Sequence, residues 1–391
     1  MRIVSVDFLR GLTIALMILV NNPGSWGHLF KPLSHAHWNG CTPTDLIFPF
    51  FIFIVGAAIA FSLGSKKKNP ANHKQLIIKV IKRGLIIIAL GILKDNFPFW
   101  VLDGGGFAFW GPEVWRIPGV LQRIGLVYIF TGLLFIKSGP KVQLGALVAC
   151  LLGYWGLINI EIPGAFVKDL SQPGGNNFGA WLDVQLLGKN HLWAVSRNAG
   201  WDPESLLGTI PAVGTCLLGV MAGRWIKEDR PVLQRISRLF VWGSVLICLG
   251  LLWDMVFPIN KTLWTSSYVL YSGGIAMSCT AFCMWVMDFK GHKKIARPFV
   301  AFGSNALLAY LLSEMTTALL HRIPWGESTV AAKLSSALLS LFTDYSFSEI
   351  GVGHPDLFIA KFASHLYAFL WILPFYFLLH WMYKRKIFVK V

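Results

Sequence analysis

Three histidines, His28, His35 and His37, fall within ten residues of each other in the stretch Asn21 to Asp45, NNPGSWGHLFKPLSHAHWNGCTPTD, between two long apolar runs. Imidazole is the side chain that exchanges a proton near neutrality, so a histidine at the mouth of a membrane cavity can serve as a general base. Asn21 leads into this loop and Asp45 leads out. Two other readings stand beside the catalytic one. His35 and His37, separated by one residue, supply part of a zinc set, but no other Cys or His cluster completes it, and an inert loop histidine is the third reading. Asp45 also has a local role open to it: Thr42-Pro43-Thr44-Asp45 reads as a helix start, with Thr42 as N-cap, Pro43 at N1 and Asp45 as the carboxylate of a capping box. That role is compatible with orienting a nearby imidazole.

The elements that carry this loop follow from composition. Of 391 residues, 55% are hydrophobic and 14% charged, with a mean hydropathy of +0.58. Several apolar runs reach the roughly 20 residues a helix needs to cross a hydrocarbon core. The fold class is therefore all-α, a polytopic membrane protein, with about ten spans at 4–21, 42–64, 77–95, 117–137, 142–160, 205–226, 234–257, 264–287, 297–321 and 358–383. The first run carries Asp7 and Arg10 and lacks the order of a cleaved signal peptide, so it reads as a retained span. Six cysteines, all but Cys41 in apolar segments, form no disulfide framework or metal spacing.

A net charge of +16 would suggest nucleic acid in a soluble chain, but here its distribution decides its meaning. With both termini cytoplasmic, the segments 65–74, 137–141, 226–238, 288–294 and the tail YKRKIFVK fall inside and carry most of the Lys and Arg, as the positive-inside rule requires. The outer loops 22–41, 96–116, 161–204 and 322–357 are long, rich in Gly and Trp and poor in Lys, which is where a polar ligand is expected. Residues 330–342 are too short to span and read as an interfacial helix within one transmembrane domain covering 1–391.

Ionisable groups inside a membrane are costly and so carry information. Asp7 and Arg10 share a face of the first span, either as a mutually neutralising pair or with Arg10 turned toward an anionic ligand from the cytoplasm. Gln122 and Arg123 lie one turn inside the outer end of the fourth span, as tunnel lining or as partners of Asp95 or Glu113. Asn305 and Glu314 must face the interior. On the outer side Asp202 and Glu204 could hold a sugar ammonium, with Trp38, Asn39 and Trp201 against its ring. Asp202-Pro203-Glu204 also reads as a helix start, and outer tryptophans commonly anchor the interface.

Several segments, VDFLRGLTIALMILVNNPG, HAHWNGCTPTDLIFPFFIFIVG, RIPGVLQRIGLVY, LLGKNHLW, WDPESLLGTIPA and NKTLWTSSYVL, with the tail YKRKIFVK, resemble the heparan-alpha-glucosaminide N-acetyltransferase family of transmembrane acetyltransferases. The DFLRG opening is shared with other membrane acyltransferases, whereas the HAxWNG…TxxDLxFPxFxFIxG block is far more specific. The resemblance implies an enzyme that takes acetyl from cytosolic acetyl-CoA and places it on the amine of a glucosamine on the other side of the membrane. It puts the catalytic histidine at His35, leaves His37 at a variable position, and matches the asparagine after the first span to Asn21, a donor for the thioester oxyanion. The loop between Asn21 and His35 is longer than in the animal enzyme, and that enzyme's N-terminal lumenal domain has no counterpart, which implies a bacterial member in the inner (plasma) membrane. CoA phosphates are expected at the basic cytoplasmic end, on Arg10 first, then Arg83 and Arg297. The partners expected are acetyl-CoA, an amino-sugar acceptor, membrane lipid and a second copy in a homodimer, with neither metal nor nucleic acid. The alternative, from another class, is an amino-sugar transporter, which broken helices and a midplane site would favour.

Overall fold

Each of the ten apolar runs forms helix in a computed structural model that describes residues 3–103 and 106–389. The helices are α1 Val4–Val20, α2 Ile47–Leu63, α3 His73–Asn96, α4 Val120–Lys137, α5 Pro140–Ile158, α6 Phe178–Leu187, α7 Thr209–Lys227, α8 Val232–Asp254, α9 Ser266–Met284, α10 Arg297–Ser304, α11 Ala306–Leu320, α12 Val330–Leu339 and α13 Leu357–Lys384. Among the described residues, strands are confined to two short antiparallel hairpins, Trp100–Asp103 with Gly106–Phe109 and Pro324–Trp325 with Ser328–Thr329.

Among the described residues, seven of these segments are long and apolar enough to cross a membrane, eight if α10 and α11, bent by 69°, count as one broken span. The two other expected spans are helical but less suited to crossing. The first, α1, has 17 residues, about 26 Å at the α-helical rise; the other, α3, carries Lys79, Lys82, Arg83 and Lys94 along its length. The break between α10 and α11 falls at Asn305, whose side chain is stapled to the C-terminal tail: Nδ2 donates to the Ile387 carbonyl at 3.0 Å and Oδ1 accepts the Val389 N–H at 2.8 Å.

The core is built by α1, α2, α4, α7 and α9, with α8 packed on α9 and α3 on α4. Two helices meet at backbone distance where α2 crosses α7. A Cβ on Gly56 would lie 2.0 Å from the Cys216 carbonyl oxygen, and one on Gly219 would lie 1.9 Å from that of Phe53, so only glycine fits at either place. By contrast α8 and α13 turn large apolar side chains outward, among them Leu251, Leu252, Phe377 and Trp381, a surface that water does not tolerate at this extent and lipid does.

The segment after α1 is held by distant partners. Asn22 folds its amide back onto the Ile18 carbonyl at 2.7 Å and closes the helix. Ser25 N–H donates to Ser364 Oγ of α13 at 2.9 Å, and His28 Nε2 lies 2.6 Å from the Ile350 carbonyl. His28 is buried and serves the loop's anchorage. Further on, Gly40 N–H reaches the Ile259 carbonyl at 2.7 Å with φ +104, a left-handed turn that favours glycine. This lays the His35 segment against the α8–α9 connection.

Candidate functional site

Asp45 is placed by its own helix start. One carboxylate oxygen, Oδ2, accepts the backbone N–H groups of Thr42 at 3.0 Å and Ala36 at 2.9 Å, which is the capping-box role expected of it. The other, Oδ1, lies 2.7 Å from His35 Nδ1. Because a carboxylate only accepts, the proton of this bond belongs to Nδ1 and the lone pair to Nε2. Asp45 therefore caps its helix with one oxygen and meets the imidazole with the other. Asp45 is buried, and the Tyr268 hydroxyl donates to its carbonyl oxygen at 2.6 Å, whereas the His35 side chain is 46% exposed and open to a reactant.

A third group stands at this site that sequence reasoning did not single out. Lys261 Nζ lies 3.1 Å from His35 Nδ1, 3.4 Å from Nε2 and 3.8 Å from Asp45 Oδ1. Its backbone neighbour Asn260 is fully buried and is locked on both sides, donating to Asn39 Oδ1 at 3.1 Å and accepting the Leu263 N–H at 2.9 Å. Burial pulls the Lys261 amine below its ordinary pKa, against the opposing pull of Asp45 and Glu204. Nearby Cys41 is not a rival nucleophile: burial, with Asp45 adding to it, pushes its thiol up to about 12. The signal for Lys261 was available, since it is a lysine in loops otherwise poor in lysine and lies within the NKTLW segment.

Asn21 makes no hydrogen bond to this group among the described residues. It lines a cavity of about 1060 Å³ together with Trp26, Arg116, Trp193, Glu314 and Trp371. Its Nδ2 donates to Glu314 Oε1 at 3.0 Å, and Glu314 Oε2 faces Lys94 Nζ at 3.8 Å, with Lys94 paired to Asp95 at 2.6 Å. Gln122 joins this chain by donating to Asp95 Oδ2 at 3.0 Å. His35 is held by Asp45 with Lys261 beside the ring, Asn21 is held by Glu314, and no hydrogen bond joins His35 to Asn21 among the described residues. Glu314 was read as inward-facing from the sequence; that it grips Asn21 was not legible, because the two are 293 positions apart.

The remaining expected residues have their own partners. Asp202 and Glu204 meet Arg116, whose Nη2 lies 2.7 Å from each, and Asp202 also accepts the Trp193 N–H at 2.7 Å. Burial opposes the Arg116 charge, but Glu204 and Asp202 outweigh it and raise that guanidinium's pKa further. Asp202 is thus enclosed and neutralised rather than presented to a sugar ammonium. Trp38 is buried, donates to the Leu170 carbonyl at 3.0 Å and meets Trp201 edge-on at 5.9 Å. Arg123 is buried, donates to the Pro203 and Ser205 carbonyls and lies over the Trp264 ring at 5.1 Å. At the opposite end of α1, Asp7 and Arg10 pair at 3.6 Å. Among the described residues no three His, Cys, Asp or Glu side chains are grouped to hold a metal.

A bundle of membrane-length apolar helices whose loops hold a carboxylate-anchored histidine beside a lysine defines an integral membrane protein. The family model described as "Heparan-alpha-glucosaminide N-acetyltransferase, catalytic" matches residues 2–252. The chain belongs to that family. It is 31% identical over 363 residues to the human heparan-alpha-glucosaminide N-acetyltransferase and 30% identical over 368 residues to the mouse protein, in each case covering 80% of this chain and 53% of the relative. The chain thus spans about half the length of the curated relatives it matches.

Proposed function

We propose that this protein is a transmembrane acyltransferase that moves acetyl from cytosolic acetyl-CoA to the amine of a glucosamine-type sugar on the outer side of a bacterial inner membrane. The observation that carries the reading is the Asp45–His35 pair, a half-exposed imidazole whose Nδ1–H is tied down by the carboxylate and whose lone pair lies on Nε2, with Lys261 Nζ at 3.4 Å from it. An amine attacks a thioester only when neutral. With Nε2 beside it, the attacking nitrogen bonds to the acetyl carbon as its proton passes to the ring, and the same proton then leaves on the CoA sulfur as the C–S bond breaks. Asp45 keeps the ring in the tautomer this requires. The names of the human and mouse relatives support acetyl as the group moved and a glucosaminide as its acceptor.

The cavity beside Asn21, walled by tryptophans and by both signs of charge, suits a ligand with a ring and polar substituents. At the basic end of the bundle a second cavity of about 410 Å³, lined by Asp7, Lys293, Arg297 and Lys384, is the better place for CoA phosphates than Arg10, which is paired to Asp7. The transporter reading has one feature in its favour, the broken span at Asn305. That break is filled by the C-terminal tail rather than opened to a ligand, so transfer is the better account. Single-turnover measurement in proteoliposomes separates them: with labelled acetyl-CoA on the face bearing 65–74 and glucosamine on the other, N-acetylglucosamine should appear on the sugar's side, dependent on His35. Movement of unmodified glucosamine with no acetylated product would overturn the reading.

A further inference from the structure

The charge that must appear during acyl transfer has a receiver at this site. When a nucleophile adds to an acyl carbon, the carbonyl electron pair moves onto oxygen, and the oxyanion is stabilised by donors placed where it forms. A reacting acyl carbon must lie within roughly 3–4 Å of His35 Nε2 or of the nitrogen Nε2 deprotonates. Lys261 Nζ, 3.4 Å from Nε2, occupies the rim of that volume. Asn21, the amide expected there, has one of its two amide protons engaged by Glu314 and lines the cavity of about 1060 Å³, whose lining does not include His35. Lys261 is held at the site from behind: Asn260 is locked to Asn39 and Leu263, the Asn260 carbonyl accepts the Thr265 N–H at 3.1 Å, and Asp45 Oδ1 faces the ammonium at 3.8 Å. The charged and titratable groups facing this ammonium are His35, Asp45, Cys41, Glu204 and Arg123. Of these only His35 is exposed enough to meet a reactant, so the ammonium's open side is the reactant's side.

Resting on the acyl-transfer reading above, we propose that Lys261 is a catalytic residue, its ammonium donating to the acyl oxygen as negative charge develops there. In the transfer step the amine–carbon bond forms, the carbonyl pair goes to oxygen against Lys261, and His35 Nε2 takes the amine proton. On collapse the pair returns, the C–S bond breaks, and the proton leaves on sulfur. Lys261 keeps its own protons throughout.

The test uses a small acylating reagent as well as the transfer assay, so that the two ideas fail separately. Diethyl pyrocarbonate acylates neutral imidazole: Nε2 adds to the reagent's carbonyl carbon, an oxyanion forms, and ethyl carbonate leaves while the Nδ1 proton is lost. Site-resolved mass spectrometry gives the rate at His35, with exposed His37 on the same peptide as reference and the rates compared on the pH plateau where the imidazole is unprotonated. Wild-type protein should acylate His35 several-fold faster, relative to His37, than Lys261→Met, and acetyl transfer should fall roughly 10-fold or more, less than the 10²–10³ of an enclosed oxyanion hole because this site is half-open. Lys261→Arg should recover part of both, and acetyl-CoA affinity should be unchanged in all three. If a folded Lys261→Met acylates His35 as fast as wild type or faster, Lys261 is not the oxygen's partner, whatever the transfer assay reads. If the reagent rate depends on Lys261 but wild-type protein transfers no acetyl, the acyl-transfer reading falls and the role of Lys261 toward acyl oxygens stands.

Discussion

His35 and Asn21 lie on one loop, yet they are held in opposite ways. The partner of His35 is the carboxylate that starts the next helix, ten positions away, and its second oxygen caps that helix. Asn21 is gripped by Glu314 from α11, 293 positions away, in a cavity whose walls come from seven separate stretches of chain. One end has the features of bond-making: an exposed imidazole, an orienting carboxylate and an ammonium. The other has the features of binding: volume, aromatic faces and paired charges. Reaction groups need fixed relative geometry, which short-range structure supplies most securely, whereas a ligand chamber needs walls, which only tertiary packing supplies.

Three perturbations sharpen or break that division. The largest effect is expected at the bond-making end. Asp45→Asn keeps an oxygen for the Thr42 and Ala36 amides but no longer fixes the Nδ1–H tautomer, so turnover should fall by roughly 10–100-fold while thermal stability changes little. A folded, fully active variant would reduce Asp45 to a cap. Next, Glu314→Gln removes the charge facing Lys94 and loosens Asn21. Steady-state kinetics should show KM for the sugar rising by roughly 5–10-fold with kcat nearly kept, the cost of a charge-assisted contact. A collapse of kcat with KM unmoved would put bond-making in the large cavity instead.

The smallest effect on activity should come from Asp183, a fully buried carboxylate on α6 with no hydrogen bond to His35, Asp45, Lys261 or Asn21 among the described residues. Its Oδ1 accepts the Leu206 N–H at 3.0 Å, and burial pushes its carboxyl up to about 6. A carboxyl with a raised folded pKa binds its proton more tightly folded than unfolded, so stability falls as pH rises from about 4 to 6 and is level above. Melting curves across that window should show the slope, worth roughly 3 kcal/mol in all, and Asp183→Asn should flatten it without altering transfer. A slope that survives the substitution would assign it elsewhere.

What the sequence revealed follows the same split. Helices announced themselves through apolar runs of the right length, and the Thr42–Asp45 start was readable because a capping box is written in four consecutive residues. The count of crossing helices was less secure: α1 is short and α3 is laced with lysine, so ten helical runs give seven or eight segments that satisfy length and apolarity. Asp202 and Glu204 read as possible ligands because Arg116, which neutralises both, lies more than eighty positions away. Lys261 escaped for the same reason: its Nζ lies 3.1 Å from His35 Nδ1 in space but 226 residues away in sequence.

The most direct measurement takes one preparation of His35→Ala through two assays, equilibrium binding of labelled acetyl-CoA and acetyl transfer to glucosamine, alongside His37→Ala. The account predicts that the His35 variant binds acetyl-CoA as wild type does while transfer falls by roughly 10²-fold or more, and that the His37 variant loses little of either. Transfer that survives in a folded His35→Ala, or is lost only in His37→Ala, would contradict it.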